Sequence, residues 1–165
     1  RVSHDEWDRG YYFGIDPGLK GAIVALDRKG NLVGWTRMPI VEGKNIDFLR
    51  IDHYLCRAME PSVCIERVHA MPKQGVTSMF TFGKGYGGLL AIIEVRSIPV
   101  INVLPRAWQK EMLPECPKGG TKDEAVRRAL ELWPDLGLPL KKKVNQGIAD
   151  AALLAEYGRR SWLEK

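Results

Sequence analysis

The run Tyr11 to Ile15 most constrains the fold, because an aromatic and branched stretch ends abruptly in Asp16-Pro17-Gly18. Proline gives no backbone N–H and glycine permits a reversal, so this reads as a strand that stops at a turn with a carboxylate at its end. Gly21 to Leu26 and Leu32 to Trp35 read as two more strands. Between them Asp27-Arg28-Lys29-Gly30-Asn31 supplies turn chemistry, which predicts an antiparallel meander from Tyr11 to Trp35. A chain that opens this way is committed to a sheet.

Downstream the period changes. Asn45 or Asp47 can cap a helix running to about Met59, Ser62 to Glu66 reads as a buried strand, and Met71 to Gly75 as a loop. Helical spacing returns from Thr77 to Glu94, although Gly83, Gly85, Gly87 and Gly88 each weaken it by about 1 kcal/mol relative to Ala. Pro99 to Val103 is another strand, and Pro105 opens a short helix carrying Trp108. Thr121 and Glu124 have the spacing of a capping box for a helix to about Trp133, which Pro134 stops. Leu136 to Lys143 reads as a loop, and Asn145 to Arg160 as the last helix. The order predicts an α/β fold with a mixed sheet and helices on its faces. Residues 1–10 read as an N-terminal extension and 11–165 as a single domain.

Composition narrows the function. Of 165 residues, 45% are hydrophobic and 27% charged, enough apolar material for a packed core and too much for a disordered chain. The formal net charge of +5 favours an anionic partner, nucleic acid before an acidic membrane surface. Cys56, Cys64 and Cys116 are odd in number and widely spaced, with no Cys-x-x-Cys pair, which speaks against a disulfide framework or zinc site. No run of about 18 apolar residues is present to span a bilayer. The expected location is the cytoplasm, of a bacterial or phage-infected cell, or an organellar matrix if a targeting peptide has been removed.

Three acids stand where acids are expensive. Asp16 and Glu66 end hydrophobic strands, and Asp150 is the one charge in Gly147-Ile148-Ala149-Asp150-Ala151-Ala152-Leu153-Leu154-Ala155. A desolvated, unpaired carboxylate costs several kcal/mol, so each needs a cation, a hydrogen-bond network or water. Each alone has an ordinary reading as a solvated or salt-bridged residue. If adjacent strands bring Asp16 and Glu66 together and the last helix adds Asp150, three hard oxygen ligands converge, a set suited to Mg²⁺ or Mn²⁺. Two such ions about 3.5–4 Å apart can activate water and stabilise the leaving oxygen of a phosphodiester.

In order and spacing, Gly14-Ile15-Asp16-Pro17-Gly18, Ile65-Glu66-Arg67-Val68 and Gly147-Ile148-Ala149-Asp150-Ala151-Ala152-Leu153 resemble the RuvC family of Holliday-junction resolvases, its bacteriophage and organellar branch above all. Lys73-Gln74-Gly75, Phe82-Gly83-Lys84-Gly85-Tyr86-Gly87, Pro105-Arg106-Ala107-Trp108, Thr121-Lys122-Asp123 and Glu156-Tyr157-Gly158 extend the likeness over Tyr11 to Arg160. The resemblance implies an RNase H-like fold with a five-stranded mixed sheet, three antiparallel strands then parallel ones. It also implies a homodimer and Mg²⁺-dependent symmetric nicking of four-way DNA junctions in recombination and repair, with no nucleotide cofactor. By position Asp16, Glu66 and Asp150 match the family's metal ligands. The family usually places an Asp or His four residues before the last acid, where this chain has Gln146. Residues i and i+4 share a helix face, so Gln146 is expected to point at the same ions as a poorer ligand, slowing hydrolysis while sparing DNA binding.

The expected phosphate contacts are basic. Lys141, Lys142 and Lys143 precede the Asp150 helix, although a charge run is usually a solvated face. Lys122 in a first helical turn opposes the helix dipole, a mild penalty that suggests a grip on the scissile phosphate. Arg67, His69, Lys73, Gln74, Lys84 and Arg106 complete the set; Arg106 and Trp108 read first as anchors of their helix. Met79, Phe80 and Phe82 read as core, being on a helical stripe, and His4 and His53 carry no functional expectation. Three rivals stay open at this point: an actin-like ATPase or sugar kinase, for which 165 residues are short; a branched-DNA-binding protein that does not cut; and an RNase H-like nuclease for another nucleic acid.

Overall fold

The computed structural model describes residues 10–42, 45–68, 75–114, 116, 120–137 and 145–164. Tyr11–Asp16 (β1), Ala22–Leu26 (β2) and Leu32–Arg37 (β3) form the meander; Pro61–Glu66 (β6) and Val100–Val103 (β7) extend it in parallel. The strand order β3-β2-β1-β6-β7 puts β1 at the centre. Two short strands, Ile40–Val41 (β4) and Asn45–Ile46 (β5), pair separately; at two residues each they carry no readable alternation. The helices are Phe48–Leu55 (α1), Val76–Val95 (α2), Pro105–Met112 (α3), Thr121–Leu132 (α4) and Gln146–Leu163 (α5). Among the described residues no helix is long and apolar enough to cross a membrane.

Alternation along β1 builds two cores. Tyr11, Phe13 and Ile15 face α1 and α2, whose Ile51, Leu55, Leu89 and Ile93 are buried against them. On the other face α5 lies almost on the backbone of β1. A Cβ at Gly14 would stand 1.9 Å from the Ala151 carbonyl oxygen, and one at Gly158 would stand 2.7 Å from the Cys64 Cβ. Glycine at these contact points permits this approach, and the alanines of α5 that pack against the sheet keep the rest of that face close. Trp108, Ala125 and Ala129 from α3 and α4 complete that core. Helices therefore cover both faces of the sheet, as the sequence order predicts. All three cysteines are free thiols.

Two local expectations are corrected. Thr121 is the first helical residue of α4 instead of its cap: Gly120 takes the N-cap position without a side-chain bond, and Glu124 turns to Arg127. The i,i+3 ion pair satisfies Glu124 better than reaching back to a backbone N–H. On α2, Phe80 and Phe82 are exposed and Met79 is half-buried, so the stripe read as core points outward at its N-terminal half.

The far end of α5 is pinned by charge. Burial pushes the Glu156 carboxyl up, but Arg159 and Arg160, at 2.7 Å, outweigh it and hold its pKa below the usual range. Arg159 also donates to the Arg28 carbonyl, and the Trp133 indole N–H to that of Gly30, tying the β2–β3 turn to α5 and α4. Glu156→Gln is expected to cost about 2 kcal/mol in chemical denaturation, discounted from the fully buried case because Arg159 and Arg160 are partly exposed.

Candidate active site

The carboxyl ends of β1 and β6 are neighbours. Ile15 pairs with Ile65, so the next residues along, Asp16 and Glu66, come side by side on the α5 face. The Gly18 N–H donates to the Asp16 carboxylate across the Pro17-Gly18 turn, and the Gly21 N–H closes that turn on the Gly18 carbonyl at 2.8 Å. A Cβ at Gly21 would stand 2.1 Å from the Asp16 carbonyl oxygen, so the return into β2 requires glycine.

Helix α5 brings its first turn onto this corner. A Cβ at Gly147 would lie 2.6 Å from the Lys20 carbonyl oxygen and 3.0 Å from the Asp16 Oδ2. One turn on, Asp150 meets the field of both other acids. Burial first, then Asp16 and Glu66, push its pKa well above the carboxylate range, while Lys122 and a hydrogen bond from Gln146 oppose the shift. Burial and then Glu66 raise Asp16 to about 6; burial also raises Glu66, opposed by a hydrogen bond from Trp108. Three residues far apart in the chain thus share one desolvated corner and disfavour one another's charge.

Such a corner calls for a cation. Lys122 reaches it from the first turn of α4. The donor set, three hard carboxylate oxygens, suits Mg²⁺ or Mn²⁺. Among the described residues, however, no group of three His, Cys, Asp or Glu side chains is already assembled to hold a metal ion, so ligation by all three requires their side chains to draw together.

Other expected residues fall as follows. Gln146 lies on the Asp150 face and bonds it, as the i,i+4 spacing predicts. Arg67, directly after Glu66, is exposed, with its backbone N–H on the Val103 carbonyl at 2.6 Å; Arg106 is exposed at the start of α3. Lys84 is exposed on α2 and donates to the Asn45 Oδ1 at 2.9 Å, in a pocket beside Leu19. His69, Lys73, Gln74, Lys141, Lys142 and Lys143 lie outside the described residues.

Two participants escaped sequence reading. Trp108, read only as a helix anchor, donates its indole N–H to the Glu66 Oε2 at 2.7 Å. The available signal is general: a buried tryptophan needs a partner for that N–H, and Trp108 is 1% exposed. Arg37, at the end of β3, donates to the Oδ1 of buried Asn145 at 3.2 Å, immediately before α5. Nothing in the sequence links positions that far apart.

No protein-family model matches the chain, and no curated protein matches it in sequence. Solved structures do match in shape. The chain is similar to Thermus thermophilus RuvC in complex with a Holliday junction substrate, with a TM-score of 0.66 at 17% identity, over 92% of this chain and 96% of that one. A second Thermus thermophilus RuvC structure gives 0.59 at 18% identity over the same shares. The fold is RuvC-like, with the five-stranded mixed sheet of the RNase H-like class.

Proposed function

We propose that this chain is a structure-selective endodeoxyribonuclease that resolves four-way DNA junctions by metal-dependent hydrolysis. The observation that carries the reading is the meeting of Asp16, Glu66 and Asp150, beside Lys122, at one corner of a RuvC-like fold. Mg²⁺ or Mn²⁺ held by those carboxylates would supply an activated water and charge neutralisation at the leaving oxygen. The chain's own residues do the rest. Trp108 holds the Glu66 carboxylate by one oxygen and leaves the other for ligation. Gln146 steadies Asp150 from the preceding turn, and Lys122 supplies the positive charge that holds a scissile phosphate against the acids. Exposed Arg67, directly after Glu66, and exposed Arg106, two residues before Trp108, are proposed as phosphate contacts, which position DNA without reading bases; the same role is proposed for Lys84 and for His69, Lys73, Gln74 and Lys141 to Lys143.

Two matched nicks on a two-fold junction call for two symmetric sites, hence a homodimer. The surface proposed for the second copy is on α2, where Val76 (86% exposed) and Phe80 (73%) share a helix face with Gly83 and Gly87, at which an added Cβ would meet nothing within 4 Å. Phe80→Lys is expected to convert dimer to monomer in sedimentation equilibrium; an unchanged mass moves the interface elsewhere.

The deciding experiment compares a labelled four-way junction with linear duplex, with Mg²⁺, Mn²⁺ or chelator. Paired symmetric nicks in the junction alone, lost with chelator, are expected. A second reading, a branched-DNA binder that does not cut, is favoured by Gln146 standing where the family's acid or histidine would be. Tight junction binding without nicks, even after an acid is restored at 146, would select it.

A further inference from the structure

Across the sheet, Asp16 pairs with Ala22 and Ala22 with Arg37, so Arg37 occupies the same row and the same face as the acid, two strands away. Its guanidinium bonds Asn145, the N-cap residue of α5. An asparagine there ordinarily turns its Oδ1 onto the N–H groups of the first turn. Here it makes no such cap and accepts from Arg37 instead, while remaining only 4% exposed. The start of α5 is thereby tied to the strand row that carries Asp16, and Gln146 and Asp150 follow within the next turn and a half.

We infer that Arg37 is a positioning residue of this site: through Asn145 it seats the first turn of α5 so that Gln146 and Asp150 face Asp16 and Glu66. The inference rests on the nuclease reading above, but it is read out separately, by binding of Mn²⁺ to the DNA-free protein followed by electron paramagnetic resonance. Arg37→Ala and Asn145→Ala are each expected to weaken Mn²⁺ about tenfold, the range seen when a group supporting a ligand is removed. The double variant is expected to lose less than the two single losses combined, because both remove the shared Arg37–Asn145 link. Asn145→Asp, which preserves an acceptor for Arg37, is expected to bind Mn²⁺ as the parent does, and melting curves confirm that each variant is folded. Junction affinity of Arg37→Ala without divalent metal is expected to change by less than about threefold, with the salt slope unaltered.

Additive losses in the double variant would overturn the inference. So would unchanged Mn²⁺ binding in Arg37→Ala with a salt slope shallower by about 0.9, which would make Arg37 a phosphate contact. A parent protein that binds Mn²⁺ tightly but never nicks a junction defeats the nuclease reading and leaves the Arg37 result standing; one that takes up no Mn²⁺ defeats both.

Discussion

Asp16→Asn is expected to abolish junction nicking, by at least about a thousandfold, well beyond the 10–100-fold typical of a residue that only supports a ligand. The same substitution is expected to make the metal-free protein more stable. Burial, and then the neighbouring Glu66, raise the Asp16 pKa from 3.8 to about 6. The folded chain therefore holds this proton more tightly than the unfolded chain does, and ionising Asp16 costs stability. The cost is absent below about pH 4, grows between pH 4 and 6, and is complete above that, reaching about 3 kcal/mol. Asparagine carries no such charge, and its carbonyl can still accept from the Gly18 N–H. In chelator at pH 7.5 the variant should melt several degrees higher, about 5 °C after allowing for imperfect replacement, and the difference should vanish near pH 4. Loss of cleavage with an unchanged or lower melting temperature would contradict the proposed electrostatics of the corner. With Mg²⁺ present the order of stabilities should narrow or reverse, since the cation relieves the parent's repulsion and has less to bind in the variant.

Gln146→Asp is expected to act in the opposite sense on both measurements. The Gln146 amide donates to Asp150 and opposes the rise in its pKa. A carboxylate at 146 removes that bond and adds a further acid one helical turn away. In chelator at pH 7.5 the variant should melt lower than the parent, with the deficit shrinking toward pH 4 as the acids take up protons. In Mg²⁺ the added oxygen ligand should raise the cleavage rate about tenfold or more and lower the Mg²⁺ concentration needed for half-maximal rate. Gln146→His should also raise the rate without the full loss in chelator, being neutral above its ordinary pKa of about 6.5. If neither variant cuts faster than the parent, position 146 is not part of the metal site.

The three acids were legible because each is a charge in an apolar segment, and burial energetics makes such a charge expensive unless something answers it. The strands were legible for the related reason that alternation and turn residues act within a few positions. The misreadings lie where a local pattern has two outcomes. A stripe at helical spacing says that Met79 and Phe82 share a side of α2, but not whether the sheet or solvent lies beyond it. Thr121 and Glu124 have capping-box spacing, yet an arginine three residues further on offers Glu124 a stronger partner. Strands of two residues, β4 and β5, have no period to detect.

The sequence by itself determined the mixed sheet, the helices on both faces and the three expensive carboxylates, since these follow from periodicity and desolvation, which are properties of short segments. Only the tertiary structure decided that Trp108 holds Glu66, that Gly14 lets α5 settle onto β1 with Asp150 above Asp16, and that Arg37 reaches Asn145. Those contacts join positions 42 to 137 residues apart. Their geometry is set by how closely whole elements pack, and no local pattern encodes that distance.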